Sequence, residues 1–288
     1  MTGLVDDARL VVPAGLPVGL VLVRDAEVLG AEPFFPEFIA GLEQVLVPRG
    51  IAVLLQVFAT VAQAMERLRG WVRDAEVQGV ILIDLLPGDE RVGLVKELGI
   101  SALAISDPQT GDGIATVWNQ DEVAMRDLVG ALAAAGHSHV GHVAGPAEMA
   151  HTIIRRRTFA EAASEFALRT TSFGGDYSWA AGVRAVADVW TMTERPTALV
   201  FDNDVMALGG LAEAERLGLA VPEDLSLVAW DDSPQCQLAS PSLSAVSHDV
   251  QALGVLAAET FLGVLGGAPP QVVLASPAHL VSRGSSNT

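Results

Sequence analysis

Residues 198–232, ALVFDNDVMALGGLAEAERLGLAVPEDLSLVAWDD, decide the fold class of this chain. The apolar run at 198–201 predicts a strand, and the stretch at 204–217, which ends at Gly218, predicts a helix. A second apolar run at 225–230 predicts another strand. Both runs are continuous rather than alternating, which is typical of parallel strands that helices cover on both faces. The stretch therefore predicts one strand–helix–strand unit of a parallel sheet.

The same alternation extends over most of the chain. Ahead of residue 120, predicted strands lie at 18–23, 51–56, 79–83 and 102–105, and predicted helices lie at 36–49, 62–75 and 89–98. Further strands are predicted at 140–144, 243–246 and 272–274, and further helices at 121–135, 155–166, 178–190 and 250–265. Two series of similar size predict an α/β protein with two doubly wound parallel-sheet lobes. Ligands of such sheets bind at the carboxyl ends of the strands, so two facing lobes form a cleft.

Composition and charge exclude several classes of protein. A length of 288 residues corresponds to about two domains, and a hydrophobic fraction of 50% excludes a disordered chain. The chain carries 17 basic and 35 acidic residues, which gives a formal net charge of −18. Affinity for DNA and for anionic membranes comes largely from Lys and Arg. We therefore expect this chain to bind neither of them by itself.

Two features of the sequence favour a cytoplasmic protein. Cys236 is the only cysteine, so no disulfide can form within the chain. The uncharged stretch at 10–23 is similar to the core of an export signal, but Asp6 and Asp7 precede it where such a signal requires a basic leader. The stretch is also too short to span a bilayer. The sequence therefore predicts neither an export signal nor a membrane segment.

Sequence motifs of catalysis and cofactor binding are missing from this chain. It contains no P-loop, no nucleotide-binding glycine pattern, no Gly-x-Ser-x-Gly elbow and no His-Glu-x-x-His helix. His137, His139 and His142 lie close together in sequence, which raises the question of a metal site. His139 and His142, however, point to opposite faces of the predicted strand. We therefore expect neither a metal ion nor another cofactor.

Two acidic pairs directly follow predicted strands: Asp202 with Asp204, and Asp231 with Asp232. Paired carboxylates serve acid–base chemistry or metal binding, and they equally cap helices and accept hydrogen bonds from polyhydroxyl ligands. The sequence shows no nucleophile and no histidine partner for them. Ligand binding is therefore the favoured interpretation, with catalysis as the alternative.

Several short segments, most of them in the second half of the chain, occur in an order that is typical of one family. They are AGH at 135–137, VGHVAGP at 140–146, Arg155 four residues before Phe159, GDYS at 175–178, PTALVFDNDVMALG at 196–209, GLAVPEDLSLVAWDD at 218–232, PSLSAV at 241–246, RGS at 283–285 and, more faintly, EPFF at 32–35. In these segments the chain resembles the lactose/galactose-repressor (LacI/GalR) family of bacterial transcription regulators.

The resemblance implies a periplasmic-binding-protein-like fold of type I, in which two lobes close over a small effector. It also implies that the helix at 250–265 returns to the first lobe, which gives three crossings between the lobes. The predicted division is an N-terminal tail at 1–16, an N-terminal lobe at 17–118 plus 249–273 and a C-terminal lobe at 119–248 plus 274–288.

The resemblance further implies a homodimer that forms mainly through the first lobe. Regulators of this family carry a helix-turn-helix headpiece of roughly 60 residues ahead of the effector core. Because the first predicted strand begins near residue 18, this chain has no room for it. We therefore expect contact with DNA only through a headpiece that is not present in this chain.

Two of the implied ligand contacts are charged, and a third is polar. Arg155 matches a family arginine that reaches into the cleft, and its guanidinium suits a carboxylate, a phosphate or vicinal hydroxyls. Asp231 matches an acid that accepts hydrogen bonds from ligand hydroxyls or amines. Asn203 either contacts the ligand or caps the helix that follows it. We expect alanine at Arg155 or Asp231 to abolish the effector response and to leave the apo fold intact.

The remaining implied contacts are aromatic, imidazole and acidic side chains. Phe34 and Tyr177 match positions that pack on a ligand ring from opposite lobes, with core packing as the alternative for Phe34. His151 and His248 fall near effector-contacting positions, and their protonation would make binding sensitive to pH between about 5 and 8. Asp25, at the end of the first strand, is a further candidate.

One departure from the family pattern lies at the end of the predicted strand at 102–105, near the expected cleft. Ser106 stands where the family commonly has an aspartate, and Asp107 follows one residue later. A side chain one position further along a strand points to the other face, so Asp107 need not replace the missing acid. The effector of one well-known family member is therefore a poor guide to the effector of this chain.

Our main interpretation is the effector-sensing and dimerisation core of a LacI-type transcriptional regulator, without enzymatic activity. It would bind a small sugar- or nucleoside-like effector between its lobes and shift the affinity of a headpiece for DNA. An exported solute-binding protein of a transport or chemotaxis system shares the fold and is the first alternative. An enzyme that uses the acidic pairs with a metal, such as a carbohydrate isomerase or aldolase, is the second.

Overall fold

The structure is a computed structural model that describes residues 15–24 and 32–288. In chain order its strands are β1 (Val18–Val23), β2 (Val53–Phe58), β3 (Gly79–Leu82), β4 (Ala102–Ile105), β5 (Ala115–Trp118), β6 (His139–Ala144), β7 (Arg169–Gly174), β8 (Ala198–Phe201), β9 (Ser226–Trp230), β10 (Ser244–Ser247), β11 (Val272–Leu274) and β12 (His279–Val281). Asp25 and most of the predicted tail at 1–16 lie outside the described residues.

The helices alternate with these strands. They are α1 (Phe34–Leu46), α2 (Val61–Arg73), α3 (Glu90–Leu98), α4 (Pro108–Gly111), α5 (Asp121–Ala134), α6 (Ala150–Glu165), α7 (Trp179–Thr191), α8 (Asp204–Arg216), α9 (Pro234–Leu238) and α10 (Val250–Leu265), with a 3₁₀ turn at Val47–Arg49. Within the described part of the chain, none of these helices is long and apolar enough to cross a bilayer.

The described strands form two six-stranded sheets. The first has the order β11-β5-β4-β3-β1-β2, and all of its neighbouring strands are parallel. The second has the order β12-β10-β9-β8-β6-β7 and is parallel except for β12, which runs antiparallel to β10. The short strand β12 is therefore the one departure from two parallel sheets.

Each sheet is buried on both faces. In β1, Leu20 and Leu22 pack into one apolar core, and Val21, which points the other way, packs into a second core. In β8, Leu199 packs into a third core, and Val200, which points the other way, packs into a fourth. Since helices cover both faces, the predicted class of two doubly wound parallel sheets is confirmed.

The chain passes between the two sheets three times: after β5, between β10 and α10, and between β11 and β12. After the second passage, α10 packs against α1 in the core of the first sheet. A Cβ atom on Gly41 would lie 2.1 Å from the carbonyl oxygen of Gln251, and one on Gly254 would lie 2.2 Å from that of Phe38. The two glycines therefore allow the helix backbones to touch.

The structure differs from the predicted elements at several places. Helix α6 begins at Ala150 rather than at residue 155, so His151 and Arg155 lie one turn apart on the same helix. The strands β5, β7 and β12 were not predicted. Strand β7 has the sequence RTTSFG and lies half-exposed at a sheet edge, where an apolar run is not required. Strands β5 and β12 contain only four and three residues.

Candidate functional site

A cleft lies where the carboxyl ends of the two sheets face each other. Residues that directly follow strands line it from both sides, among them Arg24 after β1, Asn119 after β5 and Asp231 after β9. The cleft contains about 770 Å³ of empty space, counting the mouth that opens to solvent. Seven predicted site residues line this one cavity: Phe34, His151, Arg155, Tyr177, Asn203, Asp231 and His248.

Asp231 and His248 form a pair on the side of the second sheet. They follow the neighbouring parallel strands β9 and β10, and Nε2 of His248 lies 2.8 Å from Oδ1 of Asp231. Burial alone would lower the pKa of His248, but the hydrogen bond and the charge of Asp231 outweigh it and raise the pKa above 6.5. Asp231 has a φ of 71°, a left-handed conformation that Asp and Asn tolerate better than other side chains.

Arg155 lies across the floor of the cavity and is almost fully buried. Its Nε donates to Oδ2 of Asp121 at 2.8 Å, its Nη1 donates to the carbonyl oxygen of Asp202 at 3.1 Å, and its guanidinium carbon lies 4.0 Å from the centre of the Trp230 ring. Removal of Arg155 would leave the buried Asp121 carboxylate without its cation. On this geometry we instead expect alanine at Arg155 to destabilise the apo fold.

His151 and Tyr177 are joined by a hydrogen bond. Nε2 of His151 lies 2.7 Å from the Tyr177 hydroxyl, which also lies 3.1 Å from Oγ1 of Thr152. Burial, together with the charge of Arg155, lowers the pKa of His151 to about 4. His151 therefore stays neutral across the range from about 5 to 8 in which it was expected to titrate, and His248 is the better candidate for that behaviour.

The aromatic pair that was expected to enclose a ligand ring makes contacts within the protein. The guanidinium carbon of Arg24 lies 4.7 Å from the centre of the Tyr177 ring. Phe34 stacks on Phe38 with ring centres 5.8 Å apart and on His248 with ring centres 6.1 Å apart. Phe34 and Tyr177 thus line the cavity, and each ring already makes a contact with another side chain that lines the cavity, Phe34 with His248 and Tyr177 with Arg24.

Asn203 both caps a helix and connects the two sides of the cleft. Its Oδ1 accepts a hydrogen bond of 2.9 Å from the backbone of Met206, which identifies it as the N-cap of α8. Its Nδ2 donates to the carbonyl oxygen of Tyr177 at 3.1 Å and to Oε1 of Glu32 at 3.2 Å. The capping interpretation is therefore correct, and the amide also lines the cavity.

A second ion-pair cluster in the wall was missed in the sequence. Nε of Arg24 donates to Oδ2 of Asp84 at 2.7 Å, and its Nη1 lies 3.5 Å from Oε2 of Glu32. Burial raises the pKa of Glu32 to about 7 in spite of Arg24. Arg24 comes after β1 and Asp84 comes shortly after β3. Since ligands bind at the carboxyl ends of parallel strands, the signal that identified Asp231 could also have identified these two residues.

The clustered histidines have separate partners. Nε2 of His139 lies 2.8 Å from Oγ1 of Thr171, and Nε2 of His142 lies 2.8 Å from Oδ1 of Asp202. Both acidic pairs therefore have a histidine partner that the sequence did not reveal, His142 for Asp202 and His248 for Asp231. Within residues 15–24 and 32–288, no group of three His, Cys, Asp or Glu side chains is arranged to hold a metal ion.

Comparison with known proteins assigns the chain to a family. The profile of the periplasmic binding protein-like domain matches residues 129–286, which is more than half of the chain. The crystal structure of a LacI family transcriptional regulator from Bifidobacterium animalis subsp. lactis DSM 10140 is 32% identical, with a TM-score of 0.87 over 94% of this chain and 97% of that chain. This chain belongs to the LacI family. The predicted resemblance is therefore confirmed.

Two more members of the LacI family are similar to this chain over most of its length. The HTH-type transcriptional repressor CytR of Escherichia coli (strain K12) is 29% identical over 239 residues, which cover 82% of this chain and 69% of CytR. The solved complex of the transcriptional regulator CelR with cellobiose is 25% identical, with a TM-score of 0.85 over 95% of this chain and 86% of that chain. The relatives are thus transcriptional regulators.

The departure from the LacI family pattern at Ser106 has a structural consequence. Ser106 lines the cleft, and Asp107 follows it at the start of α4. Oδ1 of Asp107 accepts hydrogen bonds of 3.0 Å from the backbone of Gln109 and of Thr110. This carboxylate is therefore used to cap α4, so Asp107 is a poor replacement for the missing family aspartate.

Proposed function

We propose that this chain senses a small effector of the sugar or nucleoside class in the cleft between its two sheets. The effector would shift the balance between lobe arrangements and so regulate transcription. The observation that carries the proposal is the convergence of Arg155, Asn203, Asp231 and His248 on one cavity at the carboxyl ends of the strands. The complex of the relative CelR with cellobiose supports a ligand of this size and chemistry.

Contacts across the cleft give the lobes a way to respond to a ligand. The backbone N–H of Ala150 donates to the carbonyl oxygen of Leu85 at 3.0 Å, and Asn203 donates to Glu32 at 3.2 Å. An effector that competes with these contacts, or adds to them, favours one arrangement over the other. A ligand that binds both arrangements equally would transmit no signal.

The rest of the proposal follows the family assignment. The lobes comprise residues 17–118 plus 249–273 and residues 119–248 plus 274–288. The chain acts in the cytoplasm as a homodimer, catalyses no reaction and reaches DNA through the family's headpiece rather than through its own acidic surface. The alternatives of an exported solute-binding protein and of an enzyme are disfavoured because the relatives are transcriptional regulators.

A thermal-shift screen against sugars, nucleosides and their phosphates tests this proposal. We expect at least one compound to raise the melting temperature in a saturable manner, because a ligand that binds only the folded chain stabilises it. Asp231→Asn removes the negative charge and one of the two acceptor oxygens, and asparagine tolerates the left-handed backbone at this position. This variant should therefore lose most of the rise in melting temperature. Asp188→Asn makes the same chemical change on the exposed side of α7 and should keep the shift.

Two results would contradict the proposed function. One is a screen in which none of the compounds stabilises the wild-type chain. The other is a ligand whose stabilising effect is the same in wild type, Asp231→Asn and Asp188→Asn, because the ligand would then bind outside the cleft.

A further inference from the structure

The wall of the cleft carries more acid than base. Among the described residues, the acidic lining side chains are Glu32, Asp84, Asp107, Asp121, Asp202 and Asp231, and the guanidinium groups are Arg24 and Arg155. Even with Glu32 counted as neutral and His248 as protonated, the carboxylates are in excess. The potential inside a cleft lined mainly by one sign of charge favours ligands of the opposite sign.

Both guanidinium groups are already paired with carboxylates of the protein. Arg155 contacts Asp121 at 2.8 Å, and Arg24 contacts Asp84 at 2.7 Å and Glu32 at 3.5 Å. A phosphate or carboxylate on a ligand would have to compete with these internal partners for the same cations. It would also face the remaining carboxylates at short range.

Two buried acceptor atoms in the lining lack a donor within the described part of the chain. They are Oε2 of Glu32, whose nearest cation is the Arg24 Nη1 at 3.5 Å, and Oδ1 of Asn119. The Glu32 side chain is only 7% exposed. A buried acceptor without a donor is unfavourable, so a ligand that donates a hydrogen bond at this place removes the penalty.

We propose that the effector carries no negative charge and that it donates hydrogen bonds, from hydroxyl groups or a protonated amine, to Glu32 and Asn119. The carboxyl groups that pair with the two arginines then determine specificity, because they leave neither cation free for a phosphate or a carboxylate. Asp121 pairs with Arg155, and Asp84, with Glu32 further away, pairs with Arg24. This inference rests on the proposed function. A guanidinium such as that of Arg155 suits a carboxylate, a phosphate or vicinal hydroxyls, and the inference keeps only the hydroxyls.

Titration with inorganic phosphate tests the exclusion of anions without knowledge of the effector. By isothermal titration calorimetry, we expect the wild-type chain to show no saturable phosphate binding. Asp121→Asn removes the partner of Arg155 and should increase the affinity for phosphate by about tenfold or more. Glu32→Gln, which leaves Arg24 its shorter contact with Asp84, should give a smaller gain in the same direction.

Glu97→Gln, an exposed change of the same kind on α3, should behave like wild type in this titration. If Asp121→Asn does not fold, Glu32→Gln decides the question alone. Saturable phosphate binding by the wild-type chain, or folded variants that bind phosphate no better than wild type, would overturn the inference.

The ligands found in the thermal-shift screen provide the second arm of the test. For any sugar or nucleoside that binds, we expect the phosphate ester of the same compound to bind about 100-fold more weakly or worse. A phosphorylated ligand that binds as tightly as its neutral parent would overturn this inference and leave the proposed function standing. A screen without any ligand would remove the proposed function, while the phosphate titration would still decide whether the cleft excludes anions.

Discussion

Replacement of Arg155 tests whether the cavity wall is also part of the folded core. Arg155→Met keeps a flexible apolar side chain near the Trp230 ring and removes the cation that faces Asp121. Two unit charges about 4 Å apart attract each other by about 4 kcal/mol at an effective dielectric constant of about 20. The Asp121 side chain is only 6% exposed, so its carboxylate would stay buried without a partner. We expect the free energy of unfolding to fall by about 3–5 kcal/mol.

A double-mutant cycle separates the ion pair from the loss of packing. In the Asp121→Asn background, Arg155→Met breaks no charge pair and should lower the free energy of unfolding by only about 1–2 kcal/mol. The difference between the losses in the two backgrounds is the coupling energy of the pair, about 2–3 kcal/mol. Urea unfolding followed by circular dichroism measures all four proteins. Arg157→Met, on the exposed face of the same helix, should change stability by less than about 0.5 kcal/mol. Additive losses in the cycle would show that the Arg155–Asp121 ion pair does not stabilise the fold.

Two further predictions concern pH and helix packing. His151→Gln should make the stability of the chain less sensitive to acid. The folded chain holds the pKa of His151 near 4 rather than 6.5, so on acidification the unfolded chain binds a proton that the folded chain does not. Through this group, the free energy of unfolding of the wild type should fall by about 2–3 kcal/mol between pH 7.5 and 4.5. Gly41→Ala should lower the free energy of unfolding by about 2–3 kcal/mol, because its methyl group would lie 2.1 Å from the Gln251 carbonyl oxygen. Urea unfolding, repeated across pH for His151→Gln, measures both.

Each of these two changes has a matched control in the chain. His279→Gln replaces an exposed histidine and should follow the wild-type pH profile. Gly93→Ala places a methyl group in α3 with no atom within 4 Å and should leave stability unchanged or raise it by up to about 1 kcal/mol. If His151→Gln and wild type lose stability in parallel on acidification, the acid sensitivity does not come from His151. If Gly41→Ala is as stable as Gly93→Ala, the contact between α1 and α10 is not as close as the structure has it.

Much of the fold could be predicted because burial on both faces of a parallel sheet leaves a strong signal in the sequence. The apolar runs of β1, β4 and β8 appear in the structure with the predicted bounds. Strand β7 carries no such run because its position at a sheet edge does not demand one. The start of α6 at Ala150 was missed because no side chain caps its N-terminus, and so the usual sequence signal is lacking.

Residues that directly follow strands were the predictable part of the site. Asp231 and Asn203 could be placed in the cleft because the carboxyl ends of parallel strands meet at one edge of a sheet. Glu32 lies 171 residues from its partner Asn203, and Asp121 lies at the start of a helix rather than at a strand end. The Glu32–Asn203 contact depends on how the two sheets face each other. The Asp121–Arg155 contact depends on how α5 packs against α6, and no local pattern in the sequence records either arrangement.

A ligand in the proposed cleft lies between the two sheets and contacts both of them. Hydrogen–deuterium exchange followed by mass spectrometry, with a sugar or nucleoside from the screen, locates the ligand. With the wild-type chain, we predict slower exchange both in the segments that follow β4 and β5 and in those that follow β8 and β9. With Asp231→Asn, we predict no such change. Slower exchange at one sheet alone, or at a surface away from the cleft, would contradict binding between the two sheets.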